Sequence, residues 1–225
     1  MREIIFDTET TGLDPLQGHR VVEIGCVELV NHVATGKTYQ VYLNPEREVP
    51  TEASMVHGLT DEFLSSKPLF PEVVGEFLEF VGDAPLVAHN ASFDMNFINA
   101  ELTRCGFPRF PESRAIDTVM MARKMFPGAP ASLDALCKRF NIDLSSRKLH
   151  GALLDAQLLA EVYLELRGGR QPDLEIKSVA EAEELTGEIR QREFRAARAH
   201  APSEEELRAH ELFLATLKDP LWKRA

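Results

Sequence analysis

The stretch Ile4-Ile5-Phe6-Asp7-Thr8-Glu9 constrains this chain more than any other. Three large apolar residues followed by the turn signal Thr10-Thr11-Gly12 read as a short buried strand. Asp7 and Glu9 close it. Side chains two apart on a strand point to the same face, with Cα atoms about 6.7 Å apart. Two carboxylates therefore sit side by side at the end of a buried element, where they repel each other. Either they are solvated acids at a strand end, or a divalent cation draws them together. An oxygen-only donor set suits Mg²⁺ or Mn²⁺.

The rest of the chain supplies elements to pack on that strand. Arg20 to Val30 and Lys37 to Leu43 are rich in β-branched and apolar residues, and with turn-like Asn31 to Gly36 between them they predict a hairpin. Glu72 to Val81 carries Val73, Val74, Phe77, Leu78 and Val81 at helical spacing, and Leu86-Val87-Ala88 reads as a second buried strand. Helices are expected over Phe93 to Cys105, Thr118 to Phe126 and Ser132 to Phe140, and a strong one over Ala152 to Arg167, stopped by Gly168-Gly169. Strands followed by alternating strands and helices predict an α/β domain over residues 1–169. The composition changes after that. Residues 170–225 form a C-terminal tail too small to build a core, with a capping-box start at Ser203-Glu204-Glu205-Glu206. Leu207, Leu212, Phe213 and Leu217 follow on a rough stripe. Such a segment is a flexible arm or folds on a partner.

Two further places repeat the pattern of an acid at an element boundary. In His89-Asn90-Ala91-Ser92-Phe93-Asp94 a buried strand ends and a helix begins, with Asp94 in the first turn. The helix dipole favours a carboxylate there whether or not it has another task. In His150-Gly151-Ala152-Leu153-Leu154-Asp155, the acid interrupts an apolar run and would bury a charge unless it met a cation. Five helical steps leave two side chains about 140° apart. His150 is thus expected on the loop before the helix, reaching the same place as Asp155 from outside, or else as a bland loop residue. Together the features place four carboxylates and one histidine at strand ends and helix starts, where α/β sheets put their sites. Four acids around two metals describe a clamp for phosphoryl transfer. A neutral imidazole outside it is suited to take a proton from water.

Composition removes several classes. The chain has 225 residues, and 25 Lys and Arg against 36 Asp and Glu give −11, which argues against a free-standing nucleic-acid binder. Three distant cysteines, Cys26, Cys105 and Cys137, argue against a disulfide framework or a thiolate zinc site. No apolar run reaches the roughly 20 residues of a membrane span, and the N-terminus is not a signal peptide, so a cytoplasmic protein is expected.

Asp7-x-Glu9, Asp94 within His-Asn-x-x-Phe-Asp, and His150-x-x-x-x-Asp155 resemble the DEDDh family of 3′–5′ exonucleases, and most closely its proofreading members that serve bacterial replicative polymerases. The likeness extends through Phe6–Gly12, Val22–Gly25, Val56–Leu64, Ala122–Gly128, Ser132–Cys137 and Leu149–Gln157, and covers residues 1 to about 169. It implies a ribonuclease H-like fold, a mixed central sheet flanked by helices. It implies two divalent cations, Mg²⁺ or Mn²⁺. Asp7 would bridge both, Glu9 and Asp155 would complete one site, and Asp94 would serve the second. His150 would be the general base. Asp7, Glu9, Thr10, Glu52, His57 and Asp155 would contact the substrate, a single-stranded or frayed DNA 3′ end from which nucleoside 5′-monophosphates are released. The tail would bind the polymerase alpha subunit at the replisome, and Gln171-Pro172-Asp173-Leu174-Glu175-Ile176 loosely resembles a sliding-clamp-binding peptide. The rival readings are an exoribonuclease of the same family that trims RNA 3′ ends, and a non-catalytic adaptor. Asp117 is expected as a helix N-cap, Asp134 as a first-turn acid, and His19, His32, His200 and His210 as solvated. His89 is expected to order the loop that holds Asp94.

Overall fold

The computed structural model describes residues 1–145, 149–169 and 201–217. The chain divides into two compact units, Met1–Leu174 and Glu175–Ala225. In the first, strands β1 (Arg2–Thr10), β2 (Val21–Val30), β3 (Val33–Tyr42), β4 (Leu86–Ala88) and β5 (Ala115–Asp117) form one sheet in the order β3-β2-β1-β4-β5. β1 runs antiparallel to β2 and parallel to β4, so the sheet is mixed. The helices are α1 (Thr51–His57), α2 (Asp61–Leu64), α3 (Phe70–Val81), α4 (Ala91–Arg104), α5 (Thr118–Met125), α6 (Leu133–Phe140) and α7 (Ala152–Leu166).

Alternation along β1 builds a core on each face. Ile4 and Phe6 join Val74, Phe77, Phe97, Ile98 and Leu102 of α3 and α4. Ile5 points the other way and meets Leu136, Leu159, Val162 and Tyr163 of α6 and α7. The period of two then fixes where the acids go. Glu3, Ile5, Asp7 and Glu9 share the α7 face, and the Tyr163 hydroxyl donates to Glu3 Oε1 at 2.7 Å. Thr8 faces α4.

The hairpin is tighter than its sequence suggested. β2 and β3 are joined by Asn31 and His32 alone, both in the left-handed region at φ 52° and 66°, which is the geometry of a two-residue primed turn. Residues 33–36, expected in the turn, are strand. α1, α2 and β5 were not anticipated; each is short, and apolar periodicity says little over three to seven residues. His32 is not solvated as expected: its Nδ1 lies 2.7 Å from Glu3 Oε2. His19 is half-buried with Nδ1 3.1 Å from Thr11 Oγ1. Cys26 and Cys105 are free thiols, and Cys26 and Cys137 are buried.

In the second unit α8 (Glu204–Thr216) opens on Ser203, whose hydroxyl and backbone N–H pair reciprocally with Glu206. Leu207, Leu212, Phe213 and Leu217 are exposed. The Gln171–Ile176 peptide and His200 lie outside the described residues. Among the described residues no helix is long and apolar enough to cross a membrane.

Candidate active site

The carboxylates arrive from both faces of the sheet. Asp7 and Glu9 project from the end of β1 toward α7. On that side single ligand atoms of Glu9, His150 and Asp155 all lie within 4.8 Å of one another. Asp155 is in the first turn of α7 and buried, while His150 is exposed on the preceding loop, as its spacing from Asp155 required. Its Nδ1 is 3.1 Å from Asp155 Oδ2, and its backbone N–H donates to Val56 O at 3.1 Å, which ties the loop to α1. Asp94 comes from the opposite face. The Thr8 N–H and hydroxyl both donate to its Oδ1, at 3.0 and 2.7 Å. α4 starts after Asn90 in the left-handed conformation, φ 69°, which asparagine tolerates.

Close approach of α7 depends on one residue. Gly25 lies opposite Asp7 in the β1–β2 register. A Cβ there would fall 2.2 Å from Leu153 N and 2.3 Å from Ala152 C, both backbone atoms. Only glycine lets the first turn of α7 settle over the sheet beside Asp7. Two residues back along β2 and on the same face, buried Glu23 accepts the Ala152 N–H at 3.1 Å.

Crowding shows in the protonation of the acids. Burial, then Asp94, Glu9, Asp155 and Glu23, hold the Asp7 carboxyl well above the usual range. Burial likewise pushes Asp94 up to about 7, against the opposing pull of the Thr8 hydrogen bonds. Acids in this state release their protons when positive charge is brought to them. An all-carboxylate set with one histidine is a donor set for hard divalent ions.

Beside the acids lies a cleft of about 570 Å³, within the range of small-ligand sites. Thr8, Glu9, Thr10, Glu52 and His57 line it together with apolar Leu13, Ala53, Val56 and Phe93. The expected substrate contacts Glu9, Thr10, Glu52 and His57 thus share one cavity. Asp7 and Asp155 do not line it and adjoin it through Glu9. His57 is buried, its Nδ1 accepts the Leu59 N–H at 3.0 Å, and burial lowers its pKa while the Thr10 backbone acts the other way. Glu52 is exposed on the first turn of α1. His89 holds Thr118 through Nδ1 at 2.9 Å, and Asp117 caps α5 while also accepting the Asn90 N–H at 3.3 Å. Both brace the loop before Asp94.

Sequence reasoning missed Thr8, Glu23, Gly25 and, in the apolar cleft wall, Leu13, Ala53 and Val56. Glu23 carried a usable signal, since it interrupts an apolar β-branched run just as Asp155 interrupts an apolar helix.

A family model described as exonuclease matches residues 4–163. The DNA polymerase III subunit epsilon of Rickettsia felis is 51% identical over 222 residues, covering 96% of this chain and 97% of its own. The Escherichia coli K12 protein of the same name is 47% identical over 221 residues, covering 93% and 90%. Among solved structures, exonuclease X in complex with 5′ overhanging duplex DNA is 27% identical with TM-score 0.57, over 73% of this chain and 90% of that one. The nuclease domain of 3′hExo, a DEDDh family member bound to rAMP, shares the fold at 19% identity and TM-score 0.64, over 74% and 92%.

Proposed function

This chain belongs to the exonuclease family and, within it, to the epsilon subunits of DNA polymerase III, and from that premise we infer how its residues carry out 3′–5′ proofreading. It is a metal-dependent 3′–5′ DNA exonuclease and a subunit of a replicative polymerase. The observation that carries the assignment of roles is the meeting of Glu9, His150 and Asp155 beside Asp7, with Asp94 brought to Thr8 from the other face.

Divalent ions belong to this type of exonuclease, and the crowded, partly protonated acids fit them. Our reading is that two such ions, Mg²⁺ or Mn²⁺, would be held by Asp7 in common, with Glu9 and Asp155 completing one set of ligands and Asp94 serving the other. When bound, such a pair lowers the pKa of a water and offsets charge on the scissile phosphate. The chain's own groups do the rest. With Nδ1–H donated to Asp155, His150 presents Nε2 as the accepting nitrogen and takes the proton of the attacking water. The water oxygen bonds to phosphorus as the P–O3′ bond breaks, and the departing O3′ takes a proton from solvent, leaving a new 3′-hydroxyl on the shortened strand and a nucleoside 5′-monophosphate. Asp155 fixes the tautomer and the ring. The apolar wall of the cleft receives the terminal base, Glu52 and His57 contact the terminal nucleotide, and the Thr10 backbone lies beside its sugar or base. A single strand fills such a cleft more readily than a paired end, so mispaired termini enter by fraying.

The acidic chain relies on its polymerase for grip, and tethering raises effective concentration without new contacts. We assign residues 1–169 to catalysis and 170–225 to the partners. The exposed apolar side chains of α8 support docking on the polymerase alpha subunit, and residues 171–176 are our candidate clamp-binding peptide. We place the protein in the cytoplasm, at the replisome.

The test is release of nucleoside 5′-monophosphate from a mismatched primer with Mg²⁺. Activity should vanish in Asp7→Ala and in chelator. Cleavage that survives chelator, or a stronger preference for RNA than for single-stranded DNA, would reject the assignment. Deleting 171–225 should abolish co-purification with the polymerase and spare hydrolysis of short oligonucleotides.

A further inference from the structure

The loop that carries His150 and the helix that carries Asp155 are anchored by an acid that none of these roles uses. Glu23 on β2 is 2% exposed and lies opposite Glu9 in the β1–β2 register. Its Oε2 accepts the Ala152 N–H at 3.1 Å, and its Oε1 accepts from Gln40 Nε2 at 2.8 Å. The same Gln40 amide reaches the Tyr42 hydroxyl at 3.0 Å, so the carboxylate is held from the neighbouring strand β3. α7 begins at Ala152, directly after Gly151, which has no side chain to cap it. The first N–H groups of a helix lack partners within the helix, and negative charge is favoured there. Glu23 supplies from the sheet the cap that Gly151 cannot. It does so at an electrostatic cost, because it adds to the repulsion that Asp7 already meets from Asp94, Glu9 and Asp155.

We propose that Glu23 is a positioning residue of the hydrolytic site. By capping α7 across the sheet, it fixes the first turn of the helix so that His150, two residues before Ala152, and Asp155, three residues after it, meet Glu9. The inference rests on the reading of the site given above and deepens it: the geometry of the acids is set by a fifth carboxylate that binds backbone rather than metal. What matters is its reach and its acceptor oxygen. Glutamine at 23 retains the reach and one acceptor oxygen for the Ala152 N–H, while its new NH₂ faces Gln40, whose amide turns over to accept from it; aspartate retains the charge but falls one methylene short, and alanine retains neither reach nor acceptor.

The experiment compares Glu23→Gln, Glu23→Asp and Glu23→Ala in the full chain. Three measurements are made: amide exchange at Ala152 by NMR, Mn²⁺ affinity of the metal-free protein by calorimetry, and kcat and KM on a single-stranded oligonucleotide. Glu23→Gln should keep Ala152 protected and hold kcat within about threefold of the parent, since the hydrogen bond persists. Glu23→Asp and Glu23→Ala should expose the amide, weaken Mn²⁺ binding and lower kcat by roughly ten- to a hundredfold with KM little changed, the scale of a 1 Å misplacement. Parental kcat with a protected Ala152 amide in Glu23→Asp and Glu23→Ala would overturn the proposal. So would a Glu23→Gln chain as impaired as Glu23→Ala, because charge and not the cap would then be at work. If Glu23→Ala does not fold, the Gln and Asp variants decide. The exchange measurement keeps this inference separate from the reading of the site. A parent without metal-dependent cleavage defeats the site's roles, and Ala152 protection still decides the role of Glu23.

Discussion

Replacing Gly25 with alanine tests the site's architecture without touching any acid. The new Cβ would fall 2.2 Å from Leu153 N, 2.3 Å from Ala152 C and 2.5 Å from Ala152 O. Ordinary contact at such a Cβ begins at 3.4 Å, and backbone atoms inside a helix cannot swing aside. The first turn of α7 must therefore lift by about 1 Å, and His150 and Asp155 lift with it. Overpacking of this kind costs about 1–3 kcal/mol of stability. The catalytic loss should be larger than stability alone would give, because a misplacement of about 1 Å can cost 10²-fold in rate. The assay is single-turnover hydrolysis of a labelled oligonucleotide at saturating Mg²⁺ below the melting transition, with folding checked by circular dichroism. A folded Gly25→Ala chain should cleave about tenfold to a hundredfold more slowly than the parent. Parental rates from such a chain would refute the claim that the seating of α7 sets the geometry of the acids.

Gly75 provides the matched control: it lies within α3, nothing stands within 4 Å of its Cβ position, and Gly75→Ala should stabilise the fold by about 0.5–1 kcal/mol at unchanged kcat, read by denaturant titration. The metal-free chain should show a pH signature of Asp94. Its folded pKa, about 7, lies above its unfolded value, so the folded chain retains a proton that the unfolded chain has released, and the associated stability is present at low pH and is lost as pH rises through about 7. Asp94→Asn should thus raise the thermal midpoint of the metal-free protein more at pH 8 than at pH 5; an equal gain at both would refute it. Thr8→Val removes a hydroxyl donated to Asp94 at 2.7 Å, and the Mg²⁺ concentration for half-maximal activity should rise about tenfold to a hundredfold, the equivalent of a charged hydrogen bond of about 1.5–3 kcal/mol. Tyr163→Phe strips one of the bonds on buried Glu3 and should lower stability by about 1–2 kcal/mol while leaving kcat alone, since it lies at the far end of β1 and α7 from the acids.

The features legible in the sequence were those that follow from period and burial cost. Asp7 and Glu9 share a face because a strand alternates, and Asp155 stands out because an apolar helix has no use for a lone charge. His150 falls on a loop because five helical steps would have turned it away. What stayed hidden was pairwise. Nothing in the order of residues says that Thr8, lying between two acids but facing away from them, would hold Asp94. Nor does it say that Gly25 would be pressed by the backbone of a helix more than 120 residues later, though both are plain once the sheet is paired. The hairpin was misjudged because residues 33–36 look like a turn by composition, and Asn31-His32 took the positive φ values instead.

Asp94 and Asp155 reach the end of β1 from helices on opposite sides of the sheet. A chain that has assembled only one layer therefore owns at most part of its scissors. Hydrolysis becomes a property of the finished molecule alone, and a nascent or half-melted copy carries no blade that could trim the 3′ ends it is meant to correct.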